Sequence, residues 1–149
     1  MKILILNGPN LQLLGKREID IYGKISMKDI QDSLNKLASE LNSKLKLIFF
    51  QSNHEGELLD KISSTFTENY EGIIINPAAY THTSIAIYDA LTAVQIPAIE
   101  VHISNIYKRE EFRKRSLTAA ACIGQITGLG VDGYLLALEA LVKIIEKKN

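Results

Sequence analysis

Glu100 and His102 stand two residues apart at the close of an apolar run, AIEVH. On an extended chain, side chains two apart point to one face, so the carboxylate can orient or charge an imidazole that titrates near neutral pH. The bland alternative is a hydrogen-bonded histidine that merely ends a strand. Arg17 and Tyr22 form a second candidate pair. A guanidinium near a phenol favours the phenolate and lowers a pKa of about 10, which makes Tyr22 a candidate general base. The same residues read equally well as a solvent-facing lid, its tyrosine packed on the body and its arginine solvated. Asn76, ahead of Pro77, suits either contact with a ligand hydroxyl or satisfaction of its own turn. His82 stands where a helix is expected to begin, and capping or loop ordering competes with ligand contact there. A proton donor, a proton acceptor and polar contacts are the parts of acid/base catalysis on a small polar molecule.

These residues need elements to bring them together. Ile3-Leu6, Leu45-Phe50, Gly72-Asn76, Ala98-His102 and Ala121-Thr127 read as strands. Helical patterns lie between them. Ser26 and Asp29 give a capping-box signal, after which Met27, Ile30, Leu34, Leu37 and Leu41 recur on one face. Further patterns are expected at Glu55-Phe66, Thr83-Val94, Arg109-Ala120 and Tyr134-Lys147. Strict alternation of apolar strands with helices predicts an α/β, flavodoxin-like three-layer fold: a five-stranded parallel sheet, order 2-1-3-4-5, covered on both faces. In such sheets ligands bind beyond the carboxyl ends of the strands, beside the point where strand order reverses. Strands 1, 3 and 4 are neighbours in that order, so Asn7-Gly8-Pro9-Asn10, Asn76-Pro77 with Tyr80-Ser84, and Glu100-Asn105 can meet at one rim. Residues 8-25, Gly-containing and charged, form a loop long enough to serve as an active-site lid.

With 149 residues and a 46% hydrophobic fraction, the chain suits a single catalytic domain spanning 1-149. Lys plus Arg and Asp plus Glu both number 17, so no broad field draws the chain to nucleic acid or anionic lipid, and any anion must be held locally. The lone Cys122 cannot form an internal disulfide. Together with an N-terminus that turns polar too early for a signal peptide, it points to a cytoplasmic protein. No apolar run approaches the ~20 residues that span a bilayer.

Three motif traps are set aside. Gly128-Leu129-Gly130-Val131-Asp132-Gly133 has the style of a dinucleotide loop but follows the last strand, so it reads as a close turn into the last helix. His54, His82 and His102 lack metal-ligand spacing, and Cys122 falls within an expected strand, so no metal is expected. Ser84 and Ser104 lack a nucleophile-elbow sequence. A flavodoxin-like carrier of flavin or nucleotide shares this sheet and rim, and a catalytically silent oligomeric scaffold is a further alternative.

Five blocks, NGPNLQLLGKREIDIYG at 7-23, QSNHEGELLDKI at 51-62, INPAAYTHTSIAIYDAL at 75-91, EVHISNIYKREEFRKRS at 100-116 and ITGLGVDGYLLAL at 126-138, resemble the successive signature segments of type II dehydroquinase. The resemblance implies reversible dehydration of 3-dehydroquinate to 3-dehydroshikimate, in the shikimate pathway or in quinate breakdown. It implies an enolate and an anti elimination, with no imine, cofactor or metal. Tyr22 would be the base, Arg17 the cation sustaining its phenolate, and His102, oriented by Glu100, the donor to the departing hydroxyl. Asn76, His82 and Arg113 would hold ring hydroxyls, and the amides of Ile103 and Ser104 the carboxylate. Asp89 would reach a neighbouring subunit's site, because family members form trimers grouped into homododecamers. Two positions depart from the family pattern. Gln12 stands where an Asn helps order water near the enolate, and Tyr107 replaces a frequent His outside the substrate's direct contacts.

Overall fold

The computed structural model describes residues 1–16 and 24–148. Strands β1 (Lys2–Asn7), β2 (Lys46–Gln51), β3 (Gly72–Asn76), β4 (Ala98–His102) and β5 (Gly124–Thr127) pair in parallel in the order β2-β1-β3-β4-β5. This is the expected topology. Helices α1 (Met27–Leu41), α2 (Glu55–Ser64), α3 (Ile85–Val94) and α4 (Asp132–Glu146) supply the covering layers. β3 and β4 are buried at every residue, as strands covered on both faces must be.

The two-residue period of β1 divides the core. Ile3 and Ile5 join Ile30 and Leu34 of α1 and Leu138 and Leu141 of α4 on one face. Leu4 and Leu6 join Leu58 and Ile62 of α2 and Ile87 and Leu91 of α3 on the other. The start of α1 carries the expected capping box: the Asp29 backbone amide donates to Ser26 Oγ at 3.2 Å, and the Ser26 amide donates to Asp29 Oδ2 at 2.8 Å.

Two expected elements are corrected. No α-helix spans 109–120; short 3-10 turns at Ile106–Lys108, Glu111–Arg113 and Thr118–Ala121 stand there instead. The segment has no apolar stripe to bury, since Phe112 is 69% exposed, and the Leu117 amide is drawn off to the Thr81 carbonyl at 2.7 Å. The last of these turns takes up the expected start of β5, the Cys122 amide donating to the Ala119 carbonyl at 3.0 Å, so β5 begins at Gly124 and Cys122 precedes the strand instead of lying within it. In α3, Ile85 is 66% exposed, Ile87 takes the core position, and Ser84 caps the helix by accepting from the Ile87 amide at 2.9 Å.

At the sheet's carboxyl edge, β1 and β3 are locked together. The Gly8 amide donates to the Asn76 carbonyl at 2.8 Å, and a Cβ on Gly8 would lie 2.3 Å from the Pro77 carbonyl oxygen. Only a glycine permits that approach. We expect Gly8→Ala to force backbone apart and to destabilise the fold by about 3 kcal/mol, the upper range of overpacking. A urea midpoint equal to that of the unsubstituted protein would show that the contact yields without cost.

Candidate active site

A cavity of about 130 Å³ opens where β1, β3 and β4 end. Asn76 lines it from the end of β3 and His82 from beyond it, His102, Ile103 and Ser104 from the end of β4, and Arg113 from the irregular segment that follows. Six sequence-nominated residues therefore share one wall. Glu100 lies beneath that wall, and Asp89 is exposed on α3 and does not line its own chain's cavity. Arg17 and Tyr22 lie outside the described residues.

The wall rests on a buried charge. Glu100 is wholly inaccessible, yet its carboxylate oxygens accept from His102 Nε2 at 2.7 Å, from the hydroxyls of Thr81 and Ser116 at 2.8 Å each, from Gln125 Nε2 at 2.8 Å and from the Thr118 hydroxyl at 2.5 Å. Burial alone would push the carboxyl up. The His102 hydrogen bond and charge, with the Thr118 and Ser116 hydroxyls, overcome it and bring the group down to about 2. An ionised Glu100 can only accept, so Nε2 of His102 carries a proton, and Nδ1 is the nitrogen left for the cavity. The same reasoning applies to His82, whose Nδ1 must donate to the Arg115 carbonyl at 2.7 Å and whose Nε2 is then the cavity nitrogen.

Asn76 satisfies its own turn and stands at the cavity. Its Oδ1 accepts from the Ala78 amide at 3.1 Å, an Asx-type turn holding Ala78 at φ 52°, and its side chain also lines the cavity. Arg113 places a buried Nε 3.1 Å from Glu110 Oε2, in an ion pair not aligned for a hydrogen bond. Arg109 also lines the cavity, with its Nε 3.6 Å from the same carboxylate oxygen. Sequence reasoning passed over Arg109, although it stands four residues before Arg113 in the quoted block. It also passed over Tyr134, which reads as part of an apolar helix face.

The two departures can be placed. Gln12 is exposed, accepts from Gln51 Nε2 at 3.0 Å and does not line the cavity. Tyr107 is 55% exposed and reaches Gln125 Oε1 at 3.4 Å, outside the cavity lining. Cys122 is no nucleophile at neutral pH: burial first, then the nearby Glu100 charge, pushes its thiol up to about 12. The Gly128–Gly133 run is a close turn into α4, where a Cβ on Gly128 (φ 88°) would sit 2.7 Å from Asn105 Cβ. Among the described residues, no helix is long and apolar enough to cross a membrane.

The family described as Dehydroquinase class II matches residues 1–142. The 3-dehydroquinate dehydratase of Caldicellulosiruptor saccharolyticus is 60% identical over 144 residues, covering 97% of this chain and 98% of its own. That of Carboxydothermus hydrogenoformans is 56% identical, covering 100% of this chain and 95% of its own. Among solved structures, the type II dehydroquinase of Butyrivibrio crossotus superposes with a TM-score of 0.92 at 47% identity, covering 95% of this chain and 97% of its own. A 3-dehydroquinate dehydratase-like protein from Bifidobacterium longum superposes at 0.71 with 27% identity, covering 98% of both chains.

The lowered Glu100 group carries a pH dependence with a definite sign. Its stabilising contribution is complete above its ordinary value of 4.5 and is lost as pH falls from there towards about 2. The full contribution is about 3 kcal/mol. Glu100→Gln, which turns an amide N–H towards several donors, should lower stability at pH 7 and flatten this acid slope. Urea midpoints across pH 2–7 with the same slope in both proteins would refute the assignment.

Proposed function

The chain belongs to the class II dehydroquinase family, and on that premise we propose that the cavity at the ends of β1, β3 and β4 is where it dehydrates 3-dehydroquinate. The chain is a 3-dehydroquinate dehydratase, a hydro-lyase of a small-molecule substrate. Its product, 3-dehydroshikimate, sets the step in the shikimate pathway or in quinate breakdown. The observation that carries the placement is the convergence on one small cavity of His102 backed by Glu100, Asn76, His82, Arg113 and the Ile103–Ser104 backbone.

Chemistry assigns the parts. The proton beside the ketone is weakly acidic, and the Tyr22 phenolate, sustained by Arg17, takes it. The C–H electron pair moves into an enolate whose oxygen needs hydrogen bonds as its charge grows. The enolate then re-forms the ketone and expels the β-hydroxyl, to which His102 gives a proton, so that water leaves and a conjugated enone remains. Tyr22 ends with one proton more and His102 with one fewer, and exchange with solvent resets both.

Glu100 keeps the His102 ring in place, its Nε2 on the carboxylate and its Nδ1 towards the cavity. Asn76, His82 and Arg113 hold the ring hydroxyls, and the backbone N–H groups of Ile103 and Ser104 receive the carboxylate. Amides can hold an anion locally, so zero net charge is no obstacle. The whole chain acts as one catalytic domain in the cytoplasm, residues 8-25 forming the lid over the cavity. Asp89, exposed and away from its own chain's cavity, is free to serve a neighbouring subunit's site within trimers that group into dodecamers.

The assay follows enone absorbance with 3-dehydroquinate as substrate. We expect Tyr22→Phe and His102→Ala each to cut kcat at least about a hundredfold, the lower range for a lost general acid or base. Near-normal rates in both would remove the mechanism. Arg113→Ala should act mainly on KM, and unchanged substrate affinity would count against its role. A solution mass equal to one chain would refute the assembly.

A further inference from the structure

Asn7 and Asn76 end the two strands on either side of the point where strand order reverses, and they are register partners. Residues paired in register on parallel strands project to the same face. The face is that of Ile5 and Ile74, which α4 covers, so two amides are brought into an otherwise apolar layer. Tyr134 of α4 meets them there. Its phenol is wholly buried, donates to Asn7 Oδ1 at 2.6 Å and accepts from Asn76 Nδ2 at 2.9 Å.

The direction of this chain of hydrogen bonds is not arbitrary. The Ala78 amide is an obligatory donor and takes Asn76 Oδ1 at 3.1 Å. Turning the Asn76 amide over would set N–H against N–H at Ala78. Nδ2 must therefore face Tyr134, the phenol oxygen must accept, and its single proton must go to Asn7. One Nδ2 proton remains, on a side chain that lines the cavity.

We propose that Tyr134 is a positioning residue of the active site, holding the Asn76 amide so that Nδ2 presents a donor to an acceptor oxygen of the substrate. This inference deepens the dehydratase reading and rests on it. Tyr134 touches no substrate and acts through Asn76. Burial pushes its phenol above the ordinary tyrosine range, so the proton it lends to Asn7 stays in place wherever the protein is folded. The arrangement also makes the Asn76 subsite selective for groups that can accept a hydrogen bond.

The test is a double-mutant cycle on KM and kcat with 3-dehydroquinate, using Tyr134→Phe, Asn76→Ala and the pair. A contact made equally in ground and transition states should appear in KM with kcat nearly unchanged. Tyr134→Phe should raise KM by up to roughly tenfold, one ordinary hydrogen bond, and should add nothing in the Asn76→Ala background. An unchanged KM, or the same rise in both backgrounds, would overturn the positioning role. Should Tyr134→Phe not fold, Asn7→Ala removes the far acceptor of the same chain, and its KM is expected to follow the same pattern. The unsubstituted chain separates the two claims. No turnover there defeats the dehydratase reading and this inference with it, whereas turnover with an uncoupled cycle defeats this inference alone.

Discussion

A single ionised carboxylate in the dry interior sets the terms for the rest of the site. An unpaired buried charge is prohibitively unfavourable, and pairing suffices only when nearly every lone pair is used. Glu100 meets that demand with donors from four places: Thr81 beyond β3, His102 two residues along its own strand, Ser116 and Thr118 from the irregular segment, and Gln125 from β5. Each donor brings its neighbours with it. Thr81 fixes the turn that carries His82, and Ser116 anchors the segment that carries Arg113, so the cavity wall is assembled around a group that does not itself line the cavity.

That dependence explains what could and could not be read from the chain. Apolar strands and the helical stripes of α1, α2 and α4 report local burial, and local burial shows in residue order; the topology and the rim followed from it. The Glu100–His102 contact was legible because strand geometry alone puts side chains two apart on one face. The segment 109–120 was misread because its backbone answers to partners far along the chain. Ser116 and Thr118 hydrogen-bond a carboxylate sixteen and eighteen residues back, and no local periodicity encodes that.

Tyr134 failed to register for the opposite reason. In Asp132–Glu146 it falls at a core position among Ala137, Leu138 and Leu141, where an aromatic ring needs no further explanation. Only the register of β1 against β3, which brings two strand-ending asparagines side by side, shows that its hydroxyl has work to do. Asn7 and Asn76 were each visible as strand ends, but their adjacency is a property of the sheet. Arg109 carries no signal of its own within a run of charged residues, and only the fold brings it to the cavity.

The site therefore divides by how its parts are held. On one side, His102, Asn76 and the β4 end are fixed by strand pairing, a buried charge and the close approach of Gly8 to Pro77, contacts that resist displacement because each is backed by others. On the other, the proposed base and its cation belong to residues 8–25, which join β1 to α1. Gln51 and Asn53 at the end of β2 hold the start of that loop: Gln51 Nε2 donates to the Gly8 carbonyl at 3.2 Å and to Gln12 at 3.0 Å, and Asn53 Oδ1 accepts from the Asn10 amide at 2.9 Å. These bonds direct the Gln12 side chain towards β2 and outside the cavity lining. Gln12, a departure from the family pattern, thus finds its partner in Gln51 at the end of β2. The cavity wall beside that loop is instead held by the Asn76 amide, fixed between the Ala78 amide and the Tyr134 phenol.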